Sequence, residues 1–365
     1  MTENTLQKKL KETITRQGYL FLVLWSIGII LFYAMVGFVG VRLLQSYKGH
    51  TIQFRQDWIR APVTGLASDQ SAIVSTGQSK PVDVNVGIFI NQLGEFSLKD
   101  NKYTANFDIW FAWKDEQINP GESFDIIDGQ IEQKEKIASG IRDGRQYEHY
   151  RVQVRMLKFI DASLVPFNEE GLAIQIEDKI NDAAKLRYVA DVKNTGINPQ
   201  AVRRFLKVNE SGALVKLHNY GGVRKEHSRF IYAMLLTAPG MGLYAKMFIA
   251  LFASVAVAFI ALFIKPIKLT ERVTLEIGAF FAIIGNNISI SNALLFTDKV
   301  SLADMVSSIA LITVFLILVE SAVSFYFSHT KEKEKLPKIF DRVSFCVLLL
   351  GYLIVNILLP LTAKI

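Results

Sequence analysis

Seven residues of one apolar segment fall on a single helical stripe. Steps of three and four from Glu271 meet Thr274, Gly278, Phe281, Gly285, Ile288 and Asn292, the spacing that keeps side chains on one face of an α-helix. Polar residues mark both ends of the stripe and glycines its middle, which suits a wall facing water. If several copies surround an axis, Phe281 and Ile288 become apolar rings that oppose ions by dewetting. The competing reading is a helix packed inside a bundle, its glycines allowing close approach. Glu271 has a plain role open to it as well: an acidic residue in a first turn offsets the helix macrodipole, with Thr270 as the N-cap. Arg272 and Glu276 lie four apart and off the stripe, a spacing that predicts an intrahelical ion pair. Glu320 is expected to hydrogen-bond between helices.

Chemistry of the enzymatic kind is missing from the chain. The five histidines are scattered, no Cys/His cluster or Gly-rich phosphate loop occurs, and Cys346 is the lone cysteine. No catalytic residue, metal ligand or cofactor is therefore expected, and no intrachain disulfide can form. The net charge of +7 would suit nucleic acid, but the placement of the basic residues argues otherwise.

Half of the chain is hydrophobic, and the apolar residues gather in blocks. Gly18–Val41 contains no charge and exceeds the ~20 residues needed to cross a bilayer. It is longer than a signal peptide's apolar region and lacks a small-residue cleavage pattern, so an uncleaved anchor is expected. Four further blocks follow: Met247–Ile264, Val273–Phe296, Met305–Phe327 and Val343–Leu361. Short basic segments mark the cytoplasmic side of a membrane. Lys8, Lys9, Lys11 and Arg16 precede the anchor; Lys265, Lys268 and Arg272 lie between the second and third blocks; Lys331, Lys333, Lys335, Lys338 and Arg342 precede the last. Five crossings put all three groups on one side. The N-terminus is then cytoplasmic, and the region between the first and second blocks is periplasmic or extracellular. The site is a cell inner (plasma) membrane crossed several times.

That external region changes period. Residues 44–80 read as a linker rich in Gly, Ser, Thr, Gln and Pro. Val82, Val84, Val86, Ile88 and Ile90 then alternate with other residues, as do Phe107, Ile109, Phe111 and Trp113, the pattern of half-buried strands. Further strands are expected at Phe124–Ile131, Tyr150–Phe159, Leu172–Glu177, Leu186–Val192, Leu214–Tyr220 and Phe230–Leu236, with one short helix at Pro199–Leu206. Many short strands with turns between them predict an antiparallel sandwich.

The order of parts resembles the pentameric ligand-gated ion channels, the superfamily of nicotinic and glycine receptors, in its bacterial form. Trp113-Lys114-Asp115 is similar to the family's W-x-D. Phe159–Asn168 resembles the loop that animal receptors close with a disulfide, without its cysteines and with Asn168 where the family has Asp. Ile176-Glu177-Asp178 follows as the family's pattern has it, and His227-Ser228-Arg229 resembles its Y-S-R. Glu271-Arg272-Val273-Thr274-Leu275 resembles the start of the pore helix, Asn292-Ala293-Leu294 follows at the family's distance, and Leu318–Ala322 resembles L-L-E-x-A. Two departures stand out: the extra N-terminal anchor, and Thr237-Ala238-Pro239-Gly240 where the family places an Arg at the membrane.

The resemblance covers residues 81–365 and implies the following plan. After a cytoplasmic tail (1–17), an anchor helix (18–43) and the linker (44–80), an antiparallel β-sandwich of ligand-binding type (81–238) precedes a four-helix transmembrane pore domain (239–365). Five copies surround a pore lined by the stripe, and Glu271 makes it cation-selective. Trp110, Tyr188 and Tyr220 are implied ligand contacts, for a small ligand or for protons, and Asp161, Pro166 and Phe167 belong to the loop coupling the two domains. The expected partners are lipid, inorganic ions and further copies of the chain, not nucleic acid. A non-conducting receptor or scaffold on the same fold is the alternative.

Overall fold

The computed structural model describes residues 16–60, 80–97, 100–158, 161–202, 206–221, 226–237, 240–293, 299–329 and 336–364. The chain divides into two compact units. One is built on two β-sheets, the other on apolar helices.

The β unit comprises residues 48–161 and 168–239. Its strands are β1 (Val82–Ser97), β2 (Lys102–Trp113), β3 (Phe124–Ile127), β4 (Gly129–Arg142), β5 (Arg145–Leu157), β6 (Glu169–Asp178), β7 (Leu186–Ala190), β8 (Gly196–Ile197), β9 (Lys207–His218) and β10 (His227–Thr237). The first sheet runs β4-β5-β2-β1-β7 with β8 also on β1; the second runs β3-β6-β10-β9. Alternation explains why β2 folds as it does. Tyr103, Ala105, Phe107, Ile109, Phe111 and Trp113 are buried while the residues between them are partly exposed. These side chains share one apolar core with Val84, Val86 and Ile88 of β1 and with Ile174, Phe230 and Tyr232 of the second sheet. Each large apolar side chain so buried contributes roughly 1.5–3 kcal/mol.

Several expectations need correction here. The sheets are not wholly antiparallel, because β1 pairs in parallel with β7 and with β8. The long β4–β5 hairpin was not expected over Glu132–Arg142. Its polar sequence hides the alternation, since most of β4 is exposed or half-exposed. Its turn is still legible in chemistry: Asp143 and Gly144 both have positive φ (50° and 69°), the pair that tight hairpins demand. The short helix expected at Pro199–Leu206 is turn and bend over 199–202; 203–205 lie outside the described residues.

The helical unit comprises residues 1–47, 162–167 and 240–365. Its helices are α1 (Arg16–Phe54), α2 (Met241–Ala261), α3 (Leu269–Ala293), α4 (Leu302–His329) and α5 (Leu336–Lys364); the last turns of α1 group with the β unit. All five are long and apolar enough to cross a membrane. Phe248, Leu251 and Val255 of α2, Ile283 of α3, Val306, Ile309 and Ile317 of α4, and Leu348, Val355 and Leu359 of α5 form one core, joined by Ile29, Tyr33 and Leu44 of α1. Polar pairs fix α1 in place. Tyr33 and Thr313 hydroxyls meet at 2.7 Å, and Trp25 Nε1 donates to Ser344 Oγ at 3.1 Å. Gly351 leaves room for the Tyr33 ring.

The linker expected from residue 44 is helical instead. α1 continues to Phe54 and ends in a π-turn, Arg55–Ile59, closed by Arg60 N donating to Arg55 O at 2.9 Å. Within the β unit this end is held by charge: Arg55 pairs with Glu169 (2.8 Å), Arg60 with Glu210 (3.0 Å), and Lys216 Nζ donates to Asp57 O (2.8 Å). Gly212 gives it room, since a Cβ there would stand 2.9 Å from Ile59 O. The rest of the expected linker, 61–79, lies outside the described residues.

Candidate functional site

Helix α3 is packed on one side only. Arg272, Glu276, Ala279, Ile283 and Ile290 face into the unit and are buried. Glu271, Thr274, Gly278, Phe281, Gly285, Ile288 and Asn292 are all exposed. Phe281 is 66% exposed and Ile288 57%, whereas Ile283 is fully covered. A Cβ added at Gly278 or Gly285 would meet nothing within 4 Å. The glycines therefore do not serve close approach to another helix of the same chain. Ile277, Ala282, Ser289 and Ser291 are exposed as well, so the outward side of α3 is wider than the stripe.

The buried side of α3 carries charge, and it is wired differently from expectation. Arg272 does not pair with Glu276. Its Nη2 donates to Asp341 Oδ2 on α5 at 2.6 Å, and its Nη1 lies 3.7 Å from Glu320 Oε2 on α4. Its Nε donates to Ile264 O just beyond the end of α2 at 3.0 Å. Glu276 instead accepts from Ser321 Oγ at 2.6 Å, and Ser324 donates to Asp341. The reason is geometric: at four residues' spacing both side chains point inward, where partners on α4 and α5 outcompete each other's company. Glu320, expected to hydrogen-bond between helices, sits against Asp341 of α5. Its carboxylate contributes a longer ion pair to Arg272. Nor does Thr270 precede the helix, because α3 begins at Leu269.

At the start of the stripe, Lys268 Nζ donates to both Glu271 oxygens, at 2.6 and 2.9 Å. The sequence offered this neighbour, three residues away, but not the choice of partner.

The three implied ligand aromatics do not come together. Tyr188 belongs to the β core: it is fully buried beside Phe111, and its hydroxyl has no hydrogen-bond partner among the described residues. It cannot touch a ligand while the core is intact. Its place on the inward phase of β7 follows from the Val84–Tyr188 register. Trp110 lies on the other face of β2, above Gly87, whose missing side chain admits the indole. Its Nε1 donates to Asp191 Oδ2 at 3.1 Å, and it edges a cavity of about 660 Å³ with Asn85, Arg142, Arg145 and Tyr147. Tyr220 edges a different cavity of about 450 Å³ with Asp125, Glu177, Asp178 and His227. Its hydroxyl donates to Glu177 Oε2 at 2.7 Å, and Arg229 Nε holds the other oxygen at 2.5 Å. Burial, with the Glu177 carboxylate, raises the Tyr220 pKa above its usual value.

Of the expected coupling loop, Asp161 groups with the β unit, whereas Ala162–Phe167 groups with the helices. Phe167 packs on Tyr244 of α2, ring centroids 5.6 Å apart, next to Pro166. Ser163 O accepts from Leu302 N at 2.8 Å, at the start of α4.

In comparison with known proteins, no family model matches the chain, and no curated protein matches it in sequence.

Proposed function

We propose that the chain is one subunit of a homopentameric channel for inorganic ions, a β-sandwich outside the membrane governing a pore lined by α3. The observation that carries this reading is the sorting of α3. Its seven stripe residues are exposed together, whereas Arg272, Glu276, Ala279, Ile283 and Ile290 on the opposite side are buried in the helical unit. A membrane face with Glu, Thr, Gly and Asn along it is poorly suited to lipid and well suited to water. Copies of the chain arranged about that face satisfy it. Lipid covers α1 outward through Leu24, Leu31, Met35 and Phe38.

In this reading Phe281 and Ile288 form the closed constriction. The 162–167 loop, set against α2 and the start of α4, passes on motion from the sandwich. A ligand or protons act at the Trp110 and Tyr220 cavities, one from each of two neighbouring subunits. The N-terminus is cytoplasmic, and the membrane is a cell's plasma membrane.

The non-conducting receptor remains the second reading, and the ion-paired end of α1 favours it, because a built-in docking of an extra helix suits signalling through that helix. Purified protein in planar bilayers separates the two. Channel currents across a panel of cations and pH values support the first reading. Silence from an assembly whose mass in detergent is five chains supports the second, and a stable monomer defeats both.

A further inference from the structure

Resting on the channel reading, we infer that Lys268 is the residue that sets ion preference at the mouth of α3, by cancelling the charge of Glu271. Glu271 is one of two acidic residues in α3, and the other, Glu276, is buried and bonded to Ser321. Arg272 is fully buried and engaged with Asp341 and the Ile264 carbonyl, so its charge points away from the stripe. On the exposed stripe of α3 this leaves Glu271, and of the two exposed lysines just before the helix, Lys265 and Lys268, it is Lys268 that bonds it.

The ammonium is placed on the carboxylate, not merely near it. Nζ reaches both oxygens, at 2.6 and 2.9 Å, and the two side chains are about equally exposed, at 52% and 53%. A carboxylate bare toward water concentrates cations in a narrow mouth. A carboxylate carrying its own ammonium presents a dipole, whose field falls off faster than that of a charge. Repeated around an axis, the pairs sum to no net charge. The mouth then discriminates little between cations and anions, in contrast to the cation preference implied by Glu271 alone. Such an exposed pair adds little stability, so its value to the protein is electrostatic.

The experiment is a reversal-potential measurement in planar bilayers under a KCl gradient. It uses the full-length protein, Lys268→Gln, Glu271→Gln, the double variant and Lys268→Arg. Wild type should reverse near zero. Lys268→Gln should shift toward cation permeation by roughly fivefold or more in permeability ratio, the scale set by unit charges about 4 Å apart in water. Glu271→Gln should shift comparably toward anions. The double variant and Lys268→Arg should both return to the wild-type value, which a general loss of structure would not produce. Currents from Lys268→Gln that reverse where wild type does would overturn the assignment while leaving the channel reading standing. Absence of current from every protein would overturn the channel reading, and this inference with it.

Discussion

Arg272 and Asp341 join two membrane helices through a buried contact of 2.6 Å. Arg272 sits on the inward side of α3, so this contact fixes which side of that helix is left to face outward. The same guanidinium reaches the carbonyl of Ile264 and stands near Glu320, tying α3 to its three neighbours. Removing one member of such a set leaves buried charge without compensation, which costs about 3–5 kcal/mol. Arg272→Met should therefore lower the melting temperature of the detergent-solubilised protein sharply, and Asp341→Asn should do so less. If Arg272→Met melts like wild type, α3 is not held in this way.

Tyr188 offers a cleaner separation of packing from binding. Its hydroxyl is buried beside Phe111 without a hydrogen-bond partner among the described residues, so Tyr188→Phe should leave stability unchanged or slightly raised. Tyr188→Ala should cost about 3–5 kcal/mol, as loss of a buried aromatic side chain does. Chemical denaturation read by tryptophan fluorescence measures both. A destabilised Phe variant would give the hydroxyl a role that the core does not show.

Glu170 predicts a pH dependence. Burial raises its pKa above the usual carboxylate value, an effect that Lys158, at 3.1 Å, only partly offsets. A carboxyl whose folded pKa lies above its unfolded value binds protons more tightly when folded. Its contribution to stability is therefore fully present below the unfolded pKa and lost as pH rises through the folded one. Melting temperature followed upward from pH ~4 should show this loss in wild type, and Glu170→Gln should show less of it. Equal slopes for the two proteins would contradict the assignment.

The five long apolar helices were legible from hydropathy, because an apolar run long enough to cross a bilayer has few other uses. The stripe was legible because helical periodicity sorts residues by face before any partner is known. Residues 44–59 are helical although their composition predicts a linker, for a physical reason. Their polar composition resembles a loop, yet the helix is prolonged by docking in the β unit, where Arg55 and Arg60 find Glu169 and Glu210. Tertiary context overrode local propensity there. Tyr188 failed as a ligand candidate because position in a loop order says nothing about strand phase, which its register opposite Val84 decides. The partner of Arg272 was hidden in the same way. Spacing of four identifies a possible neighbour, but not the closer one supplied by another helix.

The central claim is that the exposed side of α3 faces an ion pathway, and one pair of substitutions tests it most directly. Phe281 is exposed on the stripe, and Ile283, two residues on, is buried in the helical core. In planar bilayers, Phe281→Ala should widen and wet the constriction and raise basal current. Ile283→Ala should leave basal current near wild type while lowering the melting temperature, since a buried Ile→Ala costs about 2–5 kcal/mol. If the two variants change current alike, or neither they nor wild type conduct, the stripe does not line a pore.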